Sequence, residues 1–393
     1  MAVSIPKLSE LYSDILGDLE SQLSINIPLF GKIFLRGLAG VQAAKLKLYY
    51  LALSKVQKNL FIDTAEPESI GGTLERFGRV KLNRDPFPAQ PAQYNVTVTG
   101  TIGALIKAQT TFKSNDDSLN SGALYVLNSA HTMVTVSDTI NLRAMVSGLD
   151  SQLVVADNLT ATAPIANIDS IVIVSSETVA PLSAETTEEY REKGIEAYRL
   201  EPQGGAATDY RLWSSNAQGV AESYPYALTA QQNEVIVYVE ATIADSTDSK
   251  GTPSATILTD VAAVIELDPD TTKPLNERGR RPLGVFLVTV SAITPLDVTI
   301  QIVNYQELTS DKQTLILNAL TTAISKIRPF VAGADIEANR NEVLSVFNIS
   351  YIIQQAIPNS RFDSITLTVG GSAVSNKTFL NGDIPYLASI SYA

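Results

Sequence analysis

The sequence predicts a multidomain α+β protein: an N-terminal helical bundle arm, an antiparallel β domain, and then two α+β modules, each containing a β-α-β unit. Three observations carry that reading. Helical periodicity dominates the first 84 residues, period-two alternation follows a proline-rich stretch, and strands alternate with capped helices from Thr186 onward. At 393 residues the chain exceeds one typical core, so several domains should each bury their own apolar set. The expected divisions are 1–84, 85–178, 179–294 and 295–393.

In the arm, Arg36 to Phe61 carries Leu46, Tyr49, Leu53, Val56 and Leu60 at alternating spacings of three and four, a coiled-coil-like seam. Leu48 and Leu51 broaden it, so burial by several neighbours in a bundle is expected. Ile70 to Gly78 reads as a short capped helix. Pro86, Pro88 and Pro91 then forbid a continuing helix or a central strand. Beyond them Tyr94 to Thr99 and Ile140 to Val146 alternate apolar and polar, as do the shorter runs Ala123–Leu127 and Ile171–Val174, with Met133–Val136 strand-like as well.

Thr186 and Glu189 stand at capping-box spacing before a helix from about Thr187 to Leu200, whose Tyr190, Gly194, Ala197 and Tyr198 share a face. Pro202 is expected to end it. Gly204 and Gly205 allow a tight reversal, and Thr208 is placed as the cap of a second helix carrying Tyr210, Trp213 and Ala217. Glu234–Ala241 and Val285–Val290 read as strands around a helix capped by Ser254 with Ile257, Val261, Val264 and Ile265 inward. The pattern recurs with Leu296, Val298, Ile300 and Ile302 on a strand, then a helix opened by Ser310 and Gln313 and bearing Ile316, Leu320, Ile324 and Ile327. Ile349–Ile353 reads as the returning strand.

The order acidic helix, Tyr190-Arg191, Gly204-Gly205, Asp209-Tyr210-x-x-Trp213, then Gly219-Val220 and a strand resembles the central signature of the baseplate J family of contractile phage tails and related injection machines. Further matches lie at 73–78 (TLERFG), 281–284 (RPLG) and 328–330 (RPF). The resemblance implies a structural wedge protein, made in the host cytoplasm and built into a tail baseplate. Its partners would be other copies of itself, other wedge proteins, and sheath-initiating and hub proteins. The helical arm, with Leu46, Tyr49, Leu53, Val56 and Leu60, would make the wedge contact. The α+β modules would close the inner ring, with Arg278, Arg280, Arg281, Pro282 and Gly284 as candidates.

Composition narrows the chemistry further. Cysteine is absent and His131 is the single histidine, which removes thiolate nucleophiles, zinc-thiolate sites and most His-dependent triads. His131 has no Asp, Ser or second His beside it in the local sequence, and Glu188, Glu189, Glu192 and Glu196 read as helix capping and solvation. Asp268-Pro-Asp270-Thr-Thr272 starts like a calcium loop, but Lys273 and Gly279 occupy the required glycine and glutamate positions. No Walker loop or dinucleotide fingerprint occurs. The expectation is no enzyme activity, no cofactor, no metal and no small-molecule substrate. Ser21 to Ile62 holds six bases and no acid in a chain of net charge −12, which argues against nucleic acid and for an acidic protein surface against the arm. No run of about 18 apolar residues suggests a membrane span. The alternative reading is a β-rich tail-tip adhesin or carbohydrate-binding protein, which would need an exposed aromatic platform.

Overall fold

The computed structural model describes residues 4–23, 33–199, 204–228 and 233–393; Lys32, Leu200 and Pro202, the expected helix stop, lie outside them. The chain divides into two compact units, Met1–Asp85 with Thr187–Tyr198, and Pro86–Thr186 with Arg199–Ala393. The fold is α+β. Among the described residues it has eight α-helices and several sheets, one of them a closed six-stranded barrel.

In the first unit α1 (Leu8–Leu23) packs on α2 (Ile33–Lys58). The buried apolar residues of this pair are Leu11, Ala39 and Ala43, so small side chains permit close helix approach while the larger ones of α2 stay outside. Asn59 ties the end of α2 to α3 (Leu74–Leu82). Its Oδ1 accepts from the Glu66 and Thr73 amides at 2.9 and 3.1 Å, and the Thr73 hydroxyl donates to the Asn59 carbonyl at 2.8 Å. The signature helix α4 (Thr187–Arg199) belongs, through residue 198, to this unit.

The second unit opens with β1 (Gln93–Thr99), β2 (Leu105–Ile106), β3 (Thr111–Ser114), β4 (Leu124–Leu127), β5 (His131–Thr132), β6 (Ser137–Ala144), β7 (Asn158–Ala161) and β8 (Ile171–Val179). Six of these close an antiparallel barrel in the order β1-β6-β4-β3-β7-β8. Alternate residues fill it, as a six-stranded barrel's narrow interior requires: Val96, Phe112, Leu142, Leu159 and Val172 are among the buried ones. Tyr94 and Tyr125 meet edge to face at 6.1 Å. Their hydroxyls are satisfied by the Leu153 amide, which donates to Tyr94, and by the Ser151 carbonyl, which accepts from Tyr125. Burial pushes the Tyr94 phenol up to about 12 and raises Tyr125 as well.

After α5 (Ala207–Ser214), β9 (Val220–Ala227) and β10 (Glu234–Ala241) pair antiparallel, and α6 (Ala255–Glu266) leads to β11 (Leu287–Ala292), parallel to β10. This is the expected β-α-β unit, with Ser254 Oγ accepting from the Ile257 amide. Only Ile293 separates β11 from β12 (Thr294–Val303), so one nearly continuous strand enters both sheets. Then come α7 (Ser310–Ile324), β13 (Val343–Ser345), α8 (Val346–Ala356), β14 (Ser364–Val369), β15 (Ser372–Val374), β16 (Asn376–Thr378) and β17 (Asp383–Tyr392). The second sheet runs β15-β14-β12-β17, with β12 antiparallel to β14 and parallel to β17. Each module therefore centres on a strand flanked by one antiparallel and one parallel neighbour.

Four local expectations are corrected. Ile349–Ile353 is not a strand but lies in α8: Ser345 Oγ accepts from the Asn348 amide at 3.1 Å and starts a helix. Ile349 and Ile353, at i and i+4, are fully buried, whereas Tyr351 between them is 59% exposed; a strand would have turned all three to one face. The returning strands are β14 and β17. Thr208 lies inside α5 and does not cap it; Asp209 accepts from the Gly205 and Ala206 amides and does that work. In α7 the cap is Thr309, one residue before Ser310, and its hydroxyl accepts from the Lys312 amide. Met133–Val136 forms a turn, since the Asp138 carboxylate gathers the Val134 and Thr135 amides.

Ile353→Ala should destabilise the C-terminal module by about 2–5 kcal/mol through the cavity it leaves. Amide hydrogen exchange across α8 and β12 measures this, with faster exchange expected in both.

Candidate functional site

The residues singled out in the sequence gather in three places. At the first, Tyr190 of α4 is fully buried; its hydroxyl donates to the Arg84 carbonyl at 2.7 Å, and the Arg84 guanidinium lies 5.5 Å from its ring centroid. A Cβ at Gly78 of α3 would overlap that hydroxyl, and one at Gly194 would come 2.7 Å from Ile62 Cδ1. Arg191 reaches the Ile62 and Ala65 carbonyls at 3.0 and 2.6 Å while its Nε binds Glu188. The matches at 73–78 and 190–191 are thus two sides of one joint, in which glycine is required for close approach.

At the second place, Gly205 has φ +107° and a Cβ there would overlap the Pro282 ring, so the glycine pair and the 281–284 motif are in contact. Tyr210 and Trp213 meet edge to face at 5.1 Å, Trp213 being half-buried. Gly219 (φ +79°) accepts from the Thr242 amide, and Val220 pairs with Ala241. A residue not foreseen organises this corner: Asp245 accepts from the Ser183 amide at 2.6 Å, from the Ser183 hydroxyl and from the Thr242 hydroxyl at 2.9 Å. The Thr242-x-x-Asp245 spacing was its one local signal, an ordinary turn pattern.

The basic loop works largely inward. Arg278 Nε donates to the Asp268 carbonyl at 2.6 Å, and Arg280, 14% exposed, donates to the Val264 carbonyl at 2.9 Å and pairs with Asp268 at 3.2 Å. Burial lowers the Arg280 pKa. Both therefore close the C-terminal end of α6, where cations offset unpaired carbonyls. Lys273 also binds Asp268, at 2.9 Å, so cationic side chains already occupy the calcium-like acids. Arg281 is more open, pairing with Glu266 at 3.4 Å beside Leu283 and Phe286, which are exposed. Gly284 takes φ +94°.

The third place is an exposed apolar face of α2 with Leu46, Tyr49, Leu53 and Val56, Tyr49 to 66%; Leu60, expected on the same seam, lies in the turn after the helix ends at Lys58 and is exposed as well. His131 is not isolated as its local sequence suggested: Asp138, seven residues on, lies 3.1 Å from its Nε2 across the turn. The Thr135 hydroxyl and the Val134 amide, more than His131, hold the Asp138 carboxyl down at about 2. The pair thus serves turn closure. Among the described residues no cluster of three His, Cys, Asp or Glu side chains could hold a metal, and no helix is long and apolar enough to cross a membrane.

Residues 202–292, from the glycine pair through β11, match the family model described as the baseplate J-like central domain. The chain carries a baseplate J-like central domain. Among solved structures the chain is similar to a chain of the anti-feeding prophage baseplate determined by cryo-EM, with 12% identity, a TM-score of 0.45, and coverage of 98% of this chain and 90% of that one. No curated protein matches. The baseplate J-like domain is closed on itself: Gly205 near its start meets Pro282 near its end.

Two outcomes are expected at these places. Gly78→Ala should cost about 1–3 kcal/mol through overpacking against Tyr190, read as a lower unfolding midpoint, with Tyr190→Phe in the same chain recovering part of it. The lowered Asp138 pKa means that turn closure is fully present above the ordinary carboxylate range and is lost as pH falls through about 2. An NMR titration of the Val134 and Thr135 amides should accordingly show its midpoint near that value.

Proposed function

We propose that the chain is a structural, non-enzymatic wedge protein of a contractile-tail or injection-machine baseplate, joining wedge partners through α2 and a neighbouring wedge through its α+β modules. The observation that carries this reading is the match of residues 202–292 to the baseplate J-like central domain. The open face of α2 supports the assembly role. Each large side chain on it gains about 1.5–3 kcal/mol on full burial, and α2 itself leaves that gain unused. The six bases and no acid of Ser21 to Ile62 favour an acidic protein surface as partner. Further partners on this reading are other copies of the chain and the sheath-initiating and hub proteins, with assembly in the host cytoplasm into the tail baseplate.

For the contact between wedges, Arg278 and Arg280 are engaged within α6's own end, which leaves Arg281 with Leu283 and Phe286 as the outward group. The adhesin reading has less support, because Trp213 packs against Tyr210 in the core of the central domain.

Leu53→Asp with Val56→Asp should abolish co-purification with baseplate partners while circular dichroism and the barrel's amide exchange stay unchanged. Arg281→Glu with Phe286→Ser should spare that complex and prevent closed rings in negative-stain images. Normal particles from both variants would defeat the proposal.

A further inference from the structure

The motif Arg328-Pro-Phe330 takes no part in either proposed interface, yet it begins a segment that grips the other module. Arg328 Nε and NH2 donate to the two carboxylate oxygens of Glu240, on β10, at 3.0 and 2.8 Å, and the Tyr224 hydroxyl of β9 donates to the same carboxylate at 2.6 Å. Glu240 and Tyr224 are both buried. A few residues on, Asp335 closes its own turn by accepting from the Val331 amide at 2.7 Å, and with its other oxygen accepts from Arg211 of α5 at 2.6 Å. Arg211 is itself 9% exposed and also donates to the Ser223 carbonyl. Between these polar contacts Val331 packs with Tyr224, Ile293 and Ile384, and the Tyr226 hydroxyl reaches the Phe330 carbonyl at 3.3 Å.

We propose that residues 328–335 form a strap that locks the two α+β modules into one rigid body, with Arg328 on Glu240 and Asp335 on Arg211 as its two fastenings. Apart from the strap the modules share the bend at Ile293 between β11 and β12, the approach of Gly382 to the Tyr238 ring, where a Cβ would lie 2.6 Å away, and the partly exposed Lys250–Asp297 ion pair at 2.6 Å, whose Lys250 also lies over the Tyr386 ring. A single strand crossing between sheets fixes their separation but permits twisting about it. Two charge-assisted contacts on opposite ends of a short segment remove that freedom: the forked Arg328–Glu240 pair fixes an orientation as well as a distance, and the single Arg211–Asp335 bond holds the far end in place. Burial sharpens the demand: a carboxylate taken from water tolerates no slippage that leaves it unpaired. A displacement applied to either module would then be delivered whole to the other. This holds whether or not the chain works in a baseplate.

The absence of cysteine makes the test direct. Spin labels on Thr259→Cys of α6 and Thr321→Cys of α7, both exposed, should give a single narrow distance distribution by pulsed electron resonance. Arg211→Met with Arg328→Met should broaden it into several distances, and Arg328→Lys, which keeps Glu240 neutralised but loses the fork, should broaden it less. If the double variant does not fold, the Arg328→Lys chain alone decides. Distributions as narrow as the parent's in each variant that folds would overturn the strap.

Discussion

Glu240 is a carboxylate buried in β10, and it can stay there only because a guanidinium and a phenol fill its lone pairs. Both partners come from outside its strand. The burial also raises the Tyr224 phenol well above its ordinary range, so the hydroxyl remains a donor to the carboxylate. The geometry of the C-terminal half follows from this constraint. β9, β10 and the 328–335 segment must meet at one point, and the sheet edges, the Ile293 bend and the Val331 plug are arranged around it.

The first unit obeys a different rule. Its tight places are made by removing side chains: Gly78 and Gly194 let α3, α4 and the Ile62 turn come together, and Ala39 and Ala43 are the buried apolar residues of α2. Polar groups then fasten these close approaches, with Asn59 and Arg191 occupying backbone carbonyls and amides that irregular turns leave open. Such a joint is stiff without a large apolar core. The large apolar residues of α2 are thereby left facing outward, an exposure that an isolated globular domain avoids.

Charge is handled with the same division of labour. Of the three arginines proposed from the sequence for a ring contact, Arg278 and Arg280 bind the loop after α6, Arg278 on the Asp268 carbonyl and Arg280 on the Asp268 carboxylate. The basic cluster thus turns mostly inward, onto the end of α6 and the loop after it, and leaves a smaller outward group of mixed apolar and basic character, Arg281 with Leu283 and Phe286.

Much of this was legible in the sequence. The helix α2, the strand of β10, the stripes of α6 and α7 and the barrel's alternating runs depend on periodicity and caps within a few residues, and local patterns report local physics. The order of small motifs was enough to point to the baseplate family. Tertiary structure alone decided the rest. Ile349–Ile353 is apolar enough for either period, and burial against the second sheet chose helix. Gly205 and Pro282, His131 and Asp138, Ser183 and Asp245, and Glu240 and Arg328 are pairs whose meaning lies in meeting. Chain folding brings each pair together across loops or whole elements, and no spacing rule encodes a contact between residues that are neighbours only in space.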